Sequence, residues 1–186
     1  MSEYTCHSGG AIGADLCWEL GGIDYYVYTI AYSFKYHNTE SKNKHILSDE
    51  ELNEGWEHIK IADETLKRGV GYNTTPYIRN LLSRNWFQVK HSEAVFAIGQ
   101  FVDKKKTKVE GGTGWAVQMG IDNKKPVFVF DQYSGSWFTY FYRENKFVKV
   151  YGIQTLPENF AGIGTRGLSK LGKEAIKEIY EYNFRK

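Results

Sequence analysis

Three glycine-rich segments sit where an extended apolar stretch gives way to a helical pattern. They are Ser8-Gly9-Gly10-Ala11-Ile12-Gly13-Ala14-Asp15, Gly111-Gly112-Thr113-Gly114 and Ala161-Gly162-Ile163-Gly164-Thr165-Arg166. Glycine at such a junction permits positive φ and lets the main chain approach a ligand without a Cβ in the way. The helix that follows offers free backbone N–H groups and a positive dipole end, which together favour an anion. A lone loop of this kind serves an ordinary tight turn just as well. Three of them in 186 residues point to parallel strands whose carboxyl ends bring the loops to one crevice.

The intervening pattern supports that frame. Tyr4 to His7 reads as a strand, followed by a helix from about Gly13 to Leu20 that Gly21-Gly22 would stop, and then a strand over Asp24 to Ala31. Ser33 to Leu47 has no clear period and is expected to be a long loop covering the site. Ser48 with Glu51 makes a capping box that opens a helix to about Arg68, with Leu52, Trp56, Ile59, Ala62 and Leu66 on one face. Pro76 starts another helix through Leu81, Leu82 and Phe87. Glu93 to Gly99 and Pro126 to Phe130 read as buried parallel strands flanking a helix through Trp115, Val117 and Met119, which is βαβ grammar. A hairpin over residues 137–151 turns at Glu144-Asn145, and an amphipathic helix from about Leu168 to Tyr182 follows the last glycine loop. The expected fold is α/β: one Rossmann-like three-layer domain with a mainly parallel central sheet and a small β-hairpin.

Bulk properties narrow the function. With 24 basic and 22 acidic residues the formal charge is +2, too near balance to require nucleic acid as partner. The basic run Lys104-Lys105-Lys106-Thr107-Lys108 reads either as a solvated loop tip or as a phosphate-attracting lip beside the second glycine loop. Cys6 and Cys17 form no CxxC pair, the five histidines show no ligand spacing, and no apolar stretch has the length of a signal or membrane helix. A reducing cytoplasm, no membrane, no metal and no cofactor are the expectations. None of the glycine segments matches GxxxxGK[ST], so ATP hydrolysis by the P-loop route is not indicated.

The three glycine segments, together with Trp18-Glu19 and Arg84-Asn85-x-x-Gln88-Val89, resemble the SLOG superfamily, close to its DprA-like branch; the superfamily also includes the LOG nucleotide hydrolases and nucleotide-sensing domains. In that family the AGIG[ST]R strand and its helix come first, whereas here the unit comes last, at 158–184. A circular permutation accounts for this order, and it implies that the two ends of the chain lie close together at the surface. The resemblance implies a pocket for a nucleotide-type small molecule made by Ser8, Gly9, Gly10, Gly13, Asp15, Arg84, Asn85, Gly111, Gly112, Thr113, Gly114, Gly164, Thr165 and Arg166, in a protein expected to form a homo-oligomer.

Several of these residues carry a second reading. Asp15 can serve the N-terminal end of its own helix, Arg166 can form a surface ion pair, and Arg84 suits the last turn of a helix. LOG-type hydrolases, which release a base from a nucleoside monophosphate, read PGGxGTxxE at the second loop. This chain has Glu110 for the proline, Trp115 for the threonine and Gln118 for the final acid. A carboxylate near the sugar is what such a reaction needs. Asp15 and Glu19, four residues apart on one helical face, are the weak catalytic candidates, and His7 is a further possible acid or base. Two main readings follow: a module that binds, senses or sequesters a nucleotide, and an N-glycosidase or phosphoribohydrolase. Single-stranded DNA binding by a DprA-like groove is a third, disfavoured by the near-neutral charge. Tyr32, Phe34, Tyr36 and His37 are residues that can either stack on a base or pack internally.

Overall fold

Alternation along the buried run Ala94–Gly99 builds two cores at once. Val95 and Ala97 point to one side of the sheet and Phe96 and Ile98 to the other, each into its own apolar cluster. A strand buried on both faces needs helices on both faces, and the computed structural model, which describes residues 3–71 and 73–185, has them.

The elements in chain order are β1 (Thr5–Ser8), α1 (Ala14–Ile23), β2 (Tyr28–Ser33), β3 (Lys44–Ile46), α2 (Asp49–Leu66), α3 (Pro76–Ser83), α4 (Asn85–Lys90), β4 (Ala94–Gly99), α5 (Gly111–Asp122), β5 (Val127–Asp131), β6 (Ser136–Phe141), β7 (Lys146–Lys149), β8 (Asn159–Gly164) and α6 (Lys170–Phe184). Among the described residues eight strands form one sheet in the order β3-β2-β1-β8-β4-β5-β6-β7. All neighbours are parallel from β3 to β5, and β6 and β7 add an antiparallel hairpin at the edge. Trp18 of α1 and Ile176, Ile179 and Tyr180 of α6 fill one layer. Ile59 of α2, Phe87 of α4 and Trp115 and Met119 of α5 fill the other. The result is the expected Rossmann-like three-layer α/β domain. β1 to β3 step outward in one direction and β4 to β7 in the other, so the order reverses around β8. That is where an open parallel sheet leaves a crevice at its carboxyl ends.

Local differences from the sequence reading have physical causes. Gly21 and Gly22 do not stop α1; the helix continues to Ile23 because the two glycines lie against the Tyr180 ring of α6, where a Cβ would approach its atoms to 3.2 Å and 3.1 Å. Residues 24–27 then form a turn, with Val27 N–H donating to Gly22 O at 3.0 Å, so β2 begins at Tyr28 rather than Asp24. The segment expected to be loop throughout contains β3, whose Lys44–Ile46 pair with Ala31–Ser33. The helix expected from Pro76 through Phe87 is divided at Arg84 into α3 and α4. The Ser48 capping box forms as read, with Ser48 N–H donating to Glu51 Oε2 at 2.8 Å and Glu51 N–H to Ser48 Oγ at 3.2 Å. The ends of the described chain meet: the rings of Tyr4 and Phe184 pack edge to face at 4.8 Å. No helix is long and apolar enough to cross a membrane among the described residues.

Candidate functional site

A cleft of about 480 Å³ opens at the carboxyl ends of β8 and β4. Of the residues singled out from the sequence, Asp15, Arg84, Asn85, Gly111, Gly112, Thr113, Gly164, Thr165 and Arg166 line it. The structure therefore brings all three glycine segments and the α3–α4 junction to one place. Ser8, Gly9, Gly10, Gly13 and Gly114 lie behind this wall and shape it.

Gly9 shows how. A Cβ there would collide with Arg84 Nη1, Gln88 Nε2 and Asp15 Oδ2, so three polar side chains converge on the space that glycine leaves. At Gly13, with φ +104°, a Cβ would strike the backbone of Thr165 and Arg166, and next to it Ala14 N–H donates to Thr165 O at 3.0 Å. The first and third loops are thus zipped together. Ser8 Oγ donates to Asp15 O at 3.4 Å, Thr39 Oγ1 donates to Gly10 O at 2.5 Å, and Gly114 packs under Val109 O and the Arg68 guanidinium.

Asp15 fastens the same junction. Its Oδ1 accepts from Gly164 N–H at 3.0 Å and its Oδ2 from Ala11 N–H at 3.4 Å. Burial raises its carboxyl pKa, and the Arg84 guanidinium and these amides oppose that rise. Asp15 thus steadies the entry of its own helix and also reaches across to the third loop.

Arg84 is 5% exposed and donates from Nη1 to Gly9 O at 2.6 Å and more weakly to Tyr32 O at 3.4 Å, while its Nε is buried with no partner among the described residues. Burial lowers its pKa, Asp15 opposes the shift, and Arg166 adds to it. Arg166 is exposed on the cleft wall and has no ion-pair partner within 4.0 Å among the described residues. At the opposite wall α5 starts at Gly111 with no side chain capping it. The carboxylate of its N-cap residue Glu110 is instead taken by Gln100 Nε2. Nothing lies within 4 Å of where a Cβ would stand on Gly111 or Gly112, so the first turn of α5 faces open space.

Other candidates fall elsewhere. Glu19 does not line the cleft: one helical turn beyond Asp15 carries it about 5 Å further from the helix N-terminus, where its Oε1 accepts from Lys42 N–H at 3.4 Å. His7 is satisfied structurally, with Nδ1 2.9 Å from Tyr32 Oη and Nε2 3.0 Å from Asn159 Oδ1, and burial lowers its pKa. Gln118, at the position of the hydrolase acid, is buried and donates to Asp122 Oδ1 at 2.8 Å. Tyr32 and Phe34 are core residues, whereas Tyr36 is exposed. Lys104 and Lys105 form an exposed loop tip, while Lys106 pairs with Asp131 at 3.6 Å.

Sequence reasoning missed Arg68, which braces the second loop by donating to Gly111 O at 2.7 Å and Val109 O at 2.5 Å. No local pattern marks a residue that acts 43 positions away. It also passed over Gln88 and Gln100 as cleft residues, although Gln88 stands in the quoted Arg84-Asn85 motif. Among the described residues no three His, Cys, Asp or Glu side chains gather in a way that would hold a metal ion.

Fold and cleft define a Rossmann-like α/β domain with a crevice at the switch point of its sheet. No protein-family model matches the chain, and no curated protein or solved structure matches it.

Proposed function

We propose that this protein binds a nucleotide or nucleotide-derived ligand in the cleft and acts by recognising, sensing or sequestering it. The observation that carries the reading is the pairing of the uncapped α5 N-terminus with Arg84 and Arg166 across one cleft, Arg84 holding a buried Nε without a partner among the described residues. Free amides at a helix start and guanidinium groups are the donors a phosphate requires. A binding role is favoured over hydrolysis because both Asp15 oxygens already accept backbone amides, Gln118 faces Asp122, and Glu19 is outside the cleft.

The same geometry supports membership of the SLOG superfamily in permuted form. Read with β8 first and β3 set aside as an addition at the edge, the parallel strands follow the order 3-2-1-4-5, five of the six positions of the dinucleotide-binding sheet, and the Tyr4–Phe184 contact closes the gap that a permutation requires.

The test is mass spectrometry of small molecules released by denaturing the purified protein, followed by incubation of each with fresh protein. An intact nucleotide that rebinds unchanged supports the module. Release of free base over time transfers the protein to the N-glycosidase class. A ligand without phosphate or another anionic group overturns the reading.

A further inference from the structure

α1 has its charges on the inside. Asp15 and Glu19, its only charged residues, are buried, and the face it turns to solvent is apolar. Ile12, Leu16, Leu20 and Ile23 follow one another at spacings of four, four and three, which places them on one side of the helix. The winding reaches back to Ile12, since Leu16 N–H donates to Ala11 O at 3.1 Å and Cys17 N–H to Gly13 O at 3.0 Å. Ile12, Leu20 and Ile23 are 65%, 57% and 59% exposed, and Tyr26, in the turn that follows the helix, is 83% exposed. α6, packed beside α1 in the same layer, has the ordinary arrangement. It buries Ile176, Ile179 and Tyr180 and shows solvent the ion pairs Lys170–Glu174 and Lys177–Glu181. A helix with an apolar outer face and inward charges is built to be covered.

Shape, charge and area point to what covers it. Gly13, Cys17 and Gly21, each one residue beyond a member of the ridge Ile12-Leu16-Leu20, are small and half-buried. They leave a trough beside the ridge, on the side where Gly21 meets Tyr180 of α6 and Lys173 acts on Cys17. A ridge of residues four apart fits such a trough on a second helix, with the axes crossing at about −50°. On a two-fold axis one surface supplies both parts, ridge into trough in each direction. An uncharged stripe is matched by another uncharged stripe, because a charged partner would lose its hydration there. A lipid surface fits less well, since α1 carries no Lys or Arg to face the headgroups. The exposed parts of Ile12, Leu20, Ile23 and Tyr26 amount to roughly 500 Å², so a symmetric pair buries about 1,000 Å², which reaches the lower bound of a specific interface.

We propose that a second copy of this chain covers α1, in a two-fold dimer that packs Ile12, Leu16, Leu20 and Ile23 of each protomer against α1 of the other. The interface is independent of what the cleft binds, although it abuts the first glycine loop, where Ala11 lines the cleft next to Ile12.

Sedimentation velocity of the full chain from about 1 μM to about 500 μM tests this, because an interface of such size gives micromolar association. The wild type is expected to pass from monomer to dimer within that range. Leu20→Glu sets two like charges, one from each copy, in a dry contact and weakens association by at least about 100-fold. Leu171→Glu leaves association unchanged; Leu171 is 51% exposed on α6, on the side that approaches Gly135. In the unaltered protein the methyl resonances of Ile12, Leu16, Leu20 and Ile23 shift with concentration while those of Leu171 stay put, so a folding defect in a variant does not blunt the test. A wild type that remains monomeric at the highest concentration overturns the proposal, even where α1 captures a different protein or a membrane. A dimer that Leu20→Glu leaves as tight as the wild type overturns it too, by placing the interface elsewhere.

Discussion

The Nη1 atom of Arg84 donates to the carbonyl oxygen of Gly9 at 2.6 Å, across 75 positions of chain. The bond joins the α3–α4 junction to the first glycine loop and fixes a cation at the rim of the cleft. Arg84→Met leaves the Gly9 carbonyl unpaired in a buried place and lowers stability by roughly 1–3 kcal/mol. Arg166→Gln removes an exposed cation with no ion-pair partner among the described residues and changes stability by less than about 0.5 kcal/mol. Both variants lose anion affinity. Urea denaturation beside a binding titration separates them, and equal destabilisation by the two would contradict the arrangement.

Two glycine substitutions give opposite results. Gly9→Ala forces a methyl group into Arg84, Gln88 and Asp15 and costs roughly 1–3 kcal/mol by overpacking. Gly112→Ala meets open space in the first turn of α5, so the fold keeps its stability within about 0.5 kcal/mol, while ligand binding weakens because the methyl group narrows the approach to the α5 amides. Thermal melts and ligand titrations on the pair check this.

Asp15 contributes a pH dependence of definite sign. Its folded pKa is raised above the ordinary 3.8, chiefly by burial, so the folded state holds the proton more tightly than the unfolded state. Its contribution to stability is greatest below the ordinary aspartate range and declines as pH rises through the folded value. Asp15→Asn keeps an oxygen for the Gly164 amide and abolishes that decline. Unfolding free energy measured against pH is therefore flatter in the variant above pH 3.8; an unchanged slope would exclude Asp15 as its source.

The histidines act in the other direction. Burial heads the causes that lower His7, His37, His58 and His91 from 6.5, so the unfolded chain binds protons more readily than the folded one. Stability carried by these neutral rings is complete above 6.5 and is lost as pH falls below it toward the depressed folded values. The denaturant midpoint drops across that window, and His7→Gln reduces the drop at some cost in stability at pH 8. A midpoint constant from pH 7 to pH 5 would refute this.

The Tyr4–Phe184 contact makes the connectivity itself testable. A chain that begins near Gly152, with residues 185 and 3 joined by a short linker, places β8 first and leaves every strand pairing intact. It should fold to the parent circular dichroism spectrum with a Tm within about 10 °C. An unfolded product would show that the ends do not tolerate joining.

The sequence by itself determined the layers and the loops. Strict burial of 94–99, the Ser48–Glu51 box and glycines at strand-to-helix junctions are local signals, because alternation, capping and positive φ are settled within a few residues. The same local logic misread Gly21-Gly22 as a stop, since the Tyr180 ring that requires them small comes from α6. Only the tertiary structure decided which candidates share the cleft. Asp15 and Glu19 are equivalent by helical spacing, yet the Gly164 amide holds one at the rim and the Lys42 amide holds the other away from it. Arg68 and Gln100 carried no local mark at all. Their positions follow from strand order and, for Arg68, from bonds across 41 and 43 positions, and such long-range contacts are fixed only when the whole sheet closes.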